Sequence, residues 1–334
     1  MSAAAGAVEG ARTRPAGAVA AFARRNAWTL GLLAFLVVLL LFTKLIQPRY
    51  GPVQVQGLAI SVLPLALAAV AQAVVVIGGG IDLSIGSMMA FTSVVSATAM
   101  QGQSAEFGVV VVLGVLLLGV ALGAVNGSLV VLTRVPDIVV TLAMSFVWAG
   151  CALLVRAAPG GGAAEWLKDL VLGSIGSEWI PQAAVVLLVI VGAIWLPVRR
   201  SRVGLSIYAI GSNRLAAFRS GVPVGRTRLS AYVVTGLFSA FAGLSLTAST
   251  GIGTPVPGPY TLMAVAAVVL GGVSLAGGRG GVLGPIVGVV VLQLIRTDMT
   301  FLDVNTNLAV VAQGIILIGV VMVGSLVQMR RARA

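Results

Sequence analysis

The chain is 334 residues long, 59% of them hydrophobic and only 9% charged, with a formal net charge of +12. A soluble fold cannot hide that much apolar surface behind so few charges, so lipid is the solvent for most of the chain. With no histidine and a single cysteine, Cys151, a disulfide framework, a Cys/His zinc site and His-dependent acid–base catalysis are excluded.

A basic arm over residues 1–26, carrying Arg12, Arg14, Arg24 and Arg25, leads into the apolar run 27–46. That run is too long for the core of a signal peptide and no A-x-A site follows it, so it reads as a first transmembrane helix. A spanning helix needs about 20 mostly apolar residues. Nine further candidates follow at 58–77, 84–100, 108–133, 137–155, 181–198, 229–248, 260–276, 282–295 and 308–327. The expected fold is an all-α, polytopic membrane helix bundle of about ten transmembrane helices. The third, eighth and ninth spans are short and Gly-rich, as broken or re-entrant helices are.

Lys and Arg in short loops set the orientation. With the N-terminus inside and the helices alternating, sixteen of the 21 Lys and Arg residues fall on the inner side, and six of the nine acids fall outside. Both termini are therefore expected in the cytoplasm, the second as a basic tail over 328–334.

Two rows of small residues stand out. Gly119, Gly123 and Gly127 recur every fourth residue in the fourth span, and Gly280, Gly284 and Gly288 do so at and into the ninth. Such rows let helix backbones approach closely where lipid offers no hydrophobic drive to associate, and packing is their expected role. A faint internal echo pairs GGIDL, starting at Gly79, with GGVSL, starting at Gly271. Asp82, in GGGIDLSIGS, reads as a cap on the third span, or alternatively as a gate or helix break near a substrate route. Asp137, after Pro136, reads as a first-turn acid on the fifth span.

No G-x-x-x-x-G-K-[ST] and no G-x-G-x-x-G occurs, so the chain carries no phosphate-cradling loop of its own. Between spans six and seven, residues 199–228 hold seven arginines and no acid. The outer arginines fit a positive-inside anchor on lipid headgroups. The centre is different. Asn213 is a good N-cap, RLAAFRS favours helix, Gly221 suits a left-handed C′ position and Pro223 prevents continuation. Leu215 and Phe218 share a face, with Ala217 alongside and Arg214 and Arg219 flanking. A helix of two turns is marginal alone in water. One with a capped start and an apolar face reads as a docking element for a cytoplasmic partner. Nucleic-acid binding is not called for by such a face.

At these residues the chain resembles permease subunits of bacterial ABC importers of the ribose (monosaccharide) type. AIGSNRLAAFRSGVPVGRTRLSAYVVTGLFSAFAGL is similar to that family's cytoplasmic loop and following helix. GGGIDLSIGSMMAF, VNGSLVVLTRVPDIVVTLAMSF and LGGVSLAGGRGGVLGPIVGVVVLQLI resemble its other signatures, in the same order. The resemblance implies a permease domain over 27–327 in the bacterial inner membrane, paired with a second permease, identical or not. Separate cytoplasmic subunits would bind and hydrolyse ATP with Mg, and an extracytoplasmic protein would deliver the sugar. No cofactor or metal is expected in this chain, and it is no enzyme itself. Residues 213–221 would be the coupling helix, with Leu215 and Phe218 as its apolar anchors and Arg214 and Arg219 meeting acids of the ATPase. Asp137 and the segment IRTDMTFLDVNTN depart from the family pattern. Permeases for nucleosides and branched-chain amino acids share the broad architecture, and an ion-coupled carrier acting alone is the remaining rival.

Polar groups at bilayer depth are costly unless they face a cavity or pair with one another. Asn126, Thr141, Ser145 and Trp148 are the expected pathway residues together with Asp82, with Gln72 and Gln293 behind them. Thr141, Ser145 and Trp148 fall on one stripe of the fifth span. Interhelical hydrogen bonding is the competing role for the same residues.

Overall fold

The computed structural model describes residues 27–256 and 258–305, and beyond them seven helical positions between 308 and 322. The arm over 1–26, the tail over 328–334 and most of the predicted span 308–327 lie outside the described residues. Among the described residues twelve helices form and no sheet. Two isolated bridges, Gly160 to Gly253 and Ser174 to Pro181, pin loops.

The hub is α2 (Pro52–Ile77), because it is apolar on every face and such a helix has to be enclosed. Each of its residues from Val62 onward is buried. Pro52 sits in its first turn, where a missing N–H is harmless. Gln54 Oε1 accepts from Gly51 N at 2.9 Å, so the helix begins ahead of the predicted 58–77. Around α2 stand α3 (Ile85–Met100), α7 (Gln182–Arg200), α10 (Val224–Thr250), α11 (Tyr260–Leu270) and α12 (Leu283–Phe301). Outside these lie α1 (Ala27–Ile46) against α12, α4 (Ala105–Thr133) against α10, and α5 (Asp137–Val155) against α3. Three short helices, α6 (Glu165–Asp169), α8 (Arg202–Ser212) and α9 (Arg214–Arg219), belong to connections. The peripheral helices turn large apolar side chains outward, among them Leu45, Leu117, Leu154 and Leu188, as a lipid-facing surface requires.

Among the described residues seven helices are long and apolar enough to cross a membrane: α1, α2, α4, α5, α7, α10 and α12. At about 1.5 Å per residue the 16 residues of α3 and the 11 of α11 fall short of a hydrocarbon core about 30 Å thick. The predicted span 260–276 therefore ends early, at Leu270. The reason is local. Gly271 closes the helix in the right-handed region and Gly272 turns left-handed at φ +77°, sending Val273 N back to Val268 O at 3.1 Å. The end of α2 repeats this step for step: Gly78 is right-handed, Gly79 has φ +80°, and Gly80 N returns to Val75 O at 3.0 Å. The echo seen in the sequence is thus a shared helix stop, but Gly78 matches Gly271, one residue away from the expected register. Past the second stop the predicted 282–295 grows into α12, which runs on to Phe301.

The first glycine row makes the α4–α10 crossing. The carbonyl of Tyr232 stands where a Cβ on Gly123 would go, and Gly236 faces both Gly119 and Gly123 backbone to backbone. In the second row Gly284 and Gly288 bring α12 against Gly271 and Ala267. Gly280 lies in the loop ahead of α12 at φ +120°, so it packs on Val273 and not within the helical row.

Candidate functional site

At the end of the bundle where α7 stops and α10 starts, the basic segment folds into two helices. The first, α8, was not expected from sequence. Ser201 caps it, its Oγ accepting from Gly204 N at 3.3 Å, and Ile207 and Ile210 bury one face. Ser201 and the i, i+3 isoleucines were the available signals. The second, α9, is the predicted element. Asn213 is extended, and its Oδ1 accepts from Ala216 N at 2.9 Å. Gly221 adopts φ +82°, and Val222 N bonds back to Ala217 O at 3.0 Å. Leu215 and Phe218 are 58% and 66% exposed, and Arg214 and Arg219 are exposed beside them. Ala217 corrects the expectation. It is buried and faces the bundle, so it roots α9 and does not extend its outer apolar face.

The turn that leads into α9 meets the first helix stop and the loop that follows the second. Gly211, two residues before Asn213, packs against the Ile77 carbonyl and the Gly278 backbone. Gly278 N donates to Ile77 O at 2.8 Å, tying the α11–α12 loop to the end of α2. A Cβ on Gly277 would lie 2.9 Å from Gly79 Cα. Three backbones therefore touch without intervening side chains, and a displacement of α9 has no compliant layer to absorb it.

Beside this junction Asp137 pairs with Arg228 and accepts from Tyr232 Oη at 2.9 Å, joining the start of α5 to the start of α10. Asp137 is therefore an ion-pair residue, and α5 has no side-chain cap. Arg228 likewise leaves the group of headgroup anchors. Partial burial, then the charge of Arg228, lowers the Arg214 guanidinium pKa, with Asp137 opposing. That coupling places the α9 arginine within electrostatic reach of the α5–α10 pair.

One step further into the bundle, the break between α2 and α3 gathers four of the five expected pathway residues. Asp82 is fully buried, and its Oδ1 accepts from Ser84 N at 2.8 Å and from Ser84 Oγ at 2.6 Å. Asn126 Nδ2 donates to Ser84 Oγ at 2.6 Å, and Trp148 Nε1 donates to Asn126 Oδ1 at 3.1 Å. Thr141 Oγ1 accepts from Leu83 N at 3.0 Å. Trp148 also stacks on Phe91, ring centroids 6.4 Å apart. Ser145 stands apart, bonded to its own helix at Leu142 O. Asp82 forms a turn with Ser84 and does not cap α3, and its Oδ2 has no hydrogen-bond partner among the described residues. Of the residues behind, Gln293 Nε2 donates to Ser61 O at 2.9 Å, while both amide atoms of the buried Gln72 have no partner among the described residues.

This chain of bonds is enclosed and joins α4 and α5 to the turn before α3, as interhelical hydrogen bonding does. Asn126→Leu is expected to cost about 1–3 kcal/mol, because Ser84 and Trp148 both lose a buried partner. A lowered thermal unfolding midpoint of the detergent-solubilised protein checks this, and an unchanged midpoint contradicts it.

Comparison with known proteins places these features in a family. Residues 54–321 match the family described as branched-chain amino acid transport system / permease component. The chain is 32% identical over 263 residues to the ribose import permease protein RbsC of Escherichia coli (strain K12), covering 77% of this chain and 81% of that one. It is 30% identical over 251 residues to the D-allose transport system permease protein AlsC of the same organism, covering 74% and 76%. It is 29% identical over 314 residues to the autoinducer 2 import system permease protein LsrD of E. coli O9:H4 (strain HS), covering 92% and 94%. No solved structure matches the chain.

Proposed function

The chain belongs to the family of branched-chain amino acid transport system permease components, as a ribose-type ABC permease, and from that premise we propose that it carries a monosaccharide across the bacterial inner membrane. ATP hydrolysis by separate cytoplasmic subunits would drive it, with a second permease completing the pathway and an extracytoplasmic binding protein delivering the sugar. The observation that carries this reading is α9: a capped two-turn helix that exposes Leu215 and Phe218 between arginines and follows directly on the glycine junction of the α2 end with the α11–α12 loop. A capped helix with an exposed apolar pair between arginines suits the groove of a partner protein.

In this reading, closure of the ATP-bound partner dimer pushes on α9. The glycine junction passes the displacement to the end of α2 and to the α11–α12 loop, and the bundle rocks between outward- and inward-open arrangements. The work derives from differential binding, since ATP favours one arrangement of the partners over the other. Arg214 and Arg219 would meet acids on the ATPase, whose strength of contact falls as salt rises. The names of two relatives, ribose and D-allose, support a monosaccharide as cargo.

Purification in mild detergent from the native host tests the reading. A soluble subunit bearing a nucleotide-binding P-loop is expected to accompany the chain. Should the chain instead purify alone and accumulate solute in liposomes on a sodium or proton gradient without ATP, the ion-coupled rival is correct.

A further inference from the structure

At the opposite end of the bundle from α9 lies a cavity of about 420 Å³, within the range of small-molecule sites. It is lined by the early turns of α2, the first residue of α11 and the last turns of α10 and α12. Because α9 directly precedes α10, the cavity stands a full bundle length away, roughly 40 Å at the rise of an α-helix. With the N-terminus inside, as the positive charges indicate, this is the outer half of the membrane.

We infer that this cavity is a solute subsite for a neutral, polyhydroxylated molecule, an inference that rests on the transport role proposed above. Its chemistry argues for that class. The hydroxyls of Ser61, Ser249 and Thr297 donate to backbone carbonyls of their own helices, at Leu58, Leu246 and Gln293, which leaves their oxygens as acceptors. Gln293 commits Nε2 to Ser61 O and keeps Oε1 available. Arg296 supplies a fork of five donors and forms no ion pair among the described residues. Tyr260 adds an aromatic face with a hydroxyl. A sugar donates many O–H groups to such acceptors and can receive a bidentate contact from the guanidinium through neighbouring hydroxyls.

The charge balance separates the candidate cargoes. Among the described residues no Asp or Glu lines the cavity, and Asp298, the acid nearest in sequence to Arg296, is buried beside Thr43 and Tyr50 on the α1 side of α12. The carboxylate of an amino acid could pair with Arg296, but its ammonium group would find no counter-charge there, which is costly once desolvated. A neutral polyol has no such penalty.

Cysteine protection tests the subsite without relying on transport. In a Cys151→Ser background, Thr297→Cys and, separately, Ser249→Cys are labelled with N-ethylmaleimide, in the permease purified with whatever subunits accompany it. D-ribose or D-allose at high concentration is expected to slow labelling several-fold, L-leucine to leave it unchanged, and Gln293→Leu with Arg296→Ala to remove the sugar's effect. Protection by L-leucine, protection by neither sugar, or protection that survives the double substitution overturns the subsite. Absence of a co-purifying ATPase would count against the importer reading alone, because protection is measured without ATP.

Discussion

Leu215→Asp combined with Phe218→Asp is expected to abolish ATP-driven uptake while the protein still inserts and folds. Both side chains are more than half exposed, so the substitutions remove little packing from the permease itself. Each contributes about 1.5–3 kcal/mol when fully buried, so their joint loss weakens a partner contact by roughly 3–6 kcal/mol. At about 1.4 kcal/mol per factor of ten, that is a hundredfold or more in affinity. Burial of two carboxylates against the partner adds to the loss. Uptake of labelled sugar and retention of the ATPase on the tagged permease are the measurements. Normal uptake by the double variant would remove α9 from the drive mechanism. Ala217→Asp provides the contrast: Ala217 is buried against the bundle, so that substitution is expected to damage folding and not docking alone.

The largest structural effect is expected from Gly123→Leu. The Tyr232 carbonyl occupies the space a Cβ would need, and Gly236 Cα would lie only 3.1 Å from it. Backbone atoms cannot rotate away as a flexible side chain can, so α4 and α10 have to separate along their crossing. Overpacking typically costs 1–3 kcal/mol and occasionally more; here the obstacle is backbone, which puts the estimate at about 3 kcal/mol or above. Size-exclusion chromatography in detergent should show an aggregated or absent peak. Gly114→Ala, on the same helix with open space around it, should leave the peak and the unfolding midpoint unchanged. A monodisperse Gly123→Leu with a normal midpoint would contradict the crossing.

These two sites differ in how far they could be read from the chain alone. The caps of α9 are written within nine residues: Asn213 and Ala216 are three apart, and Gly221 follows the last turn directly. The row containing Gly123 was equally visible as a four-residue period, but its opposing glycine, Gly236, carried no local mark. Asp137 does stand in the first turn of α5, but what it binds was hidden for the same reason. Its neighbours in sequence suggested a first-turn acid, whereas its partners, Arg228 and Tyr232, come from another helix. Ala217 sat within a correctly placed helix, yet only the docking of α9 on its neighbours decided that it turns inward. Asp82, Asn126, Thr141 and Trp148 were selected as polar groups at bilayer depth. The structure does bring them together, in one enclosed network at the α2–α3 break.

From sequence alone came the lipid environment, most of the span positions, the capped basic helix and the small-residue rows. Each follows from composition or from interactions within about one helical turn. Tertiary structure decided the step-for-step match of the two helix stops, the glycine junction beneath α9, the ion pair at the start of α5 and the polar cavity shared by four helices. In lipid every apolar face is equally content, so hydropathy does not select which helices meet. That choice falls to shape and to hydrogen bonds between residues far apart in the chain, and it becomes visible only once the backbones are in place.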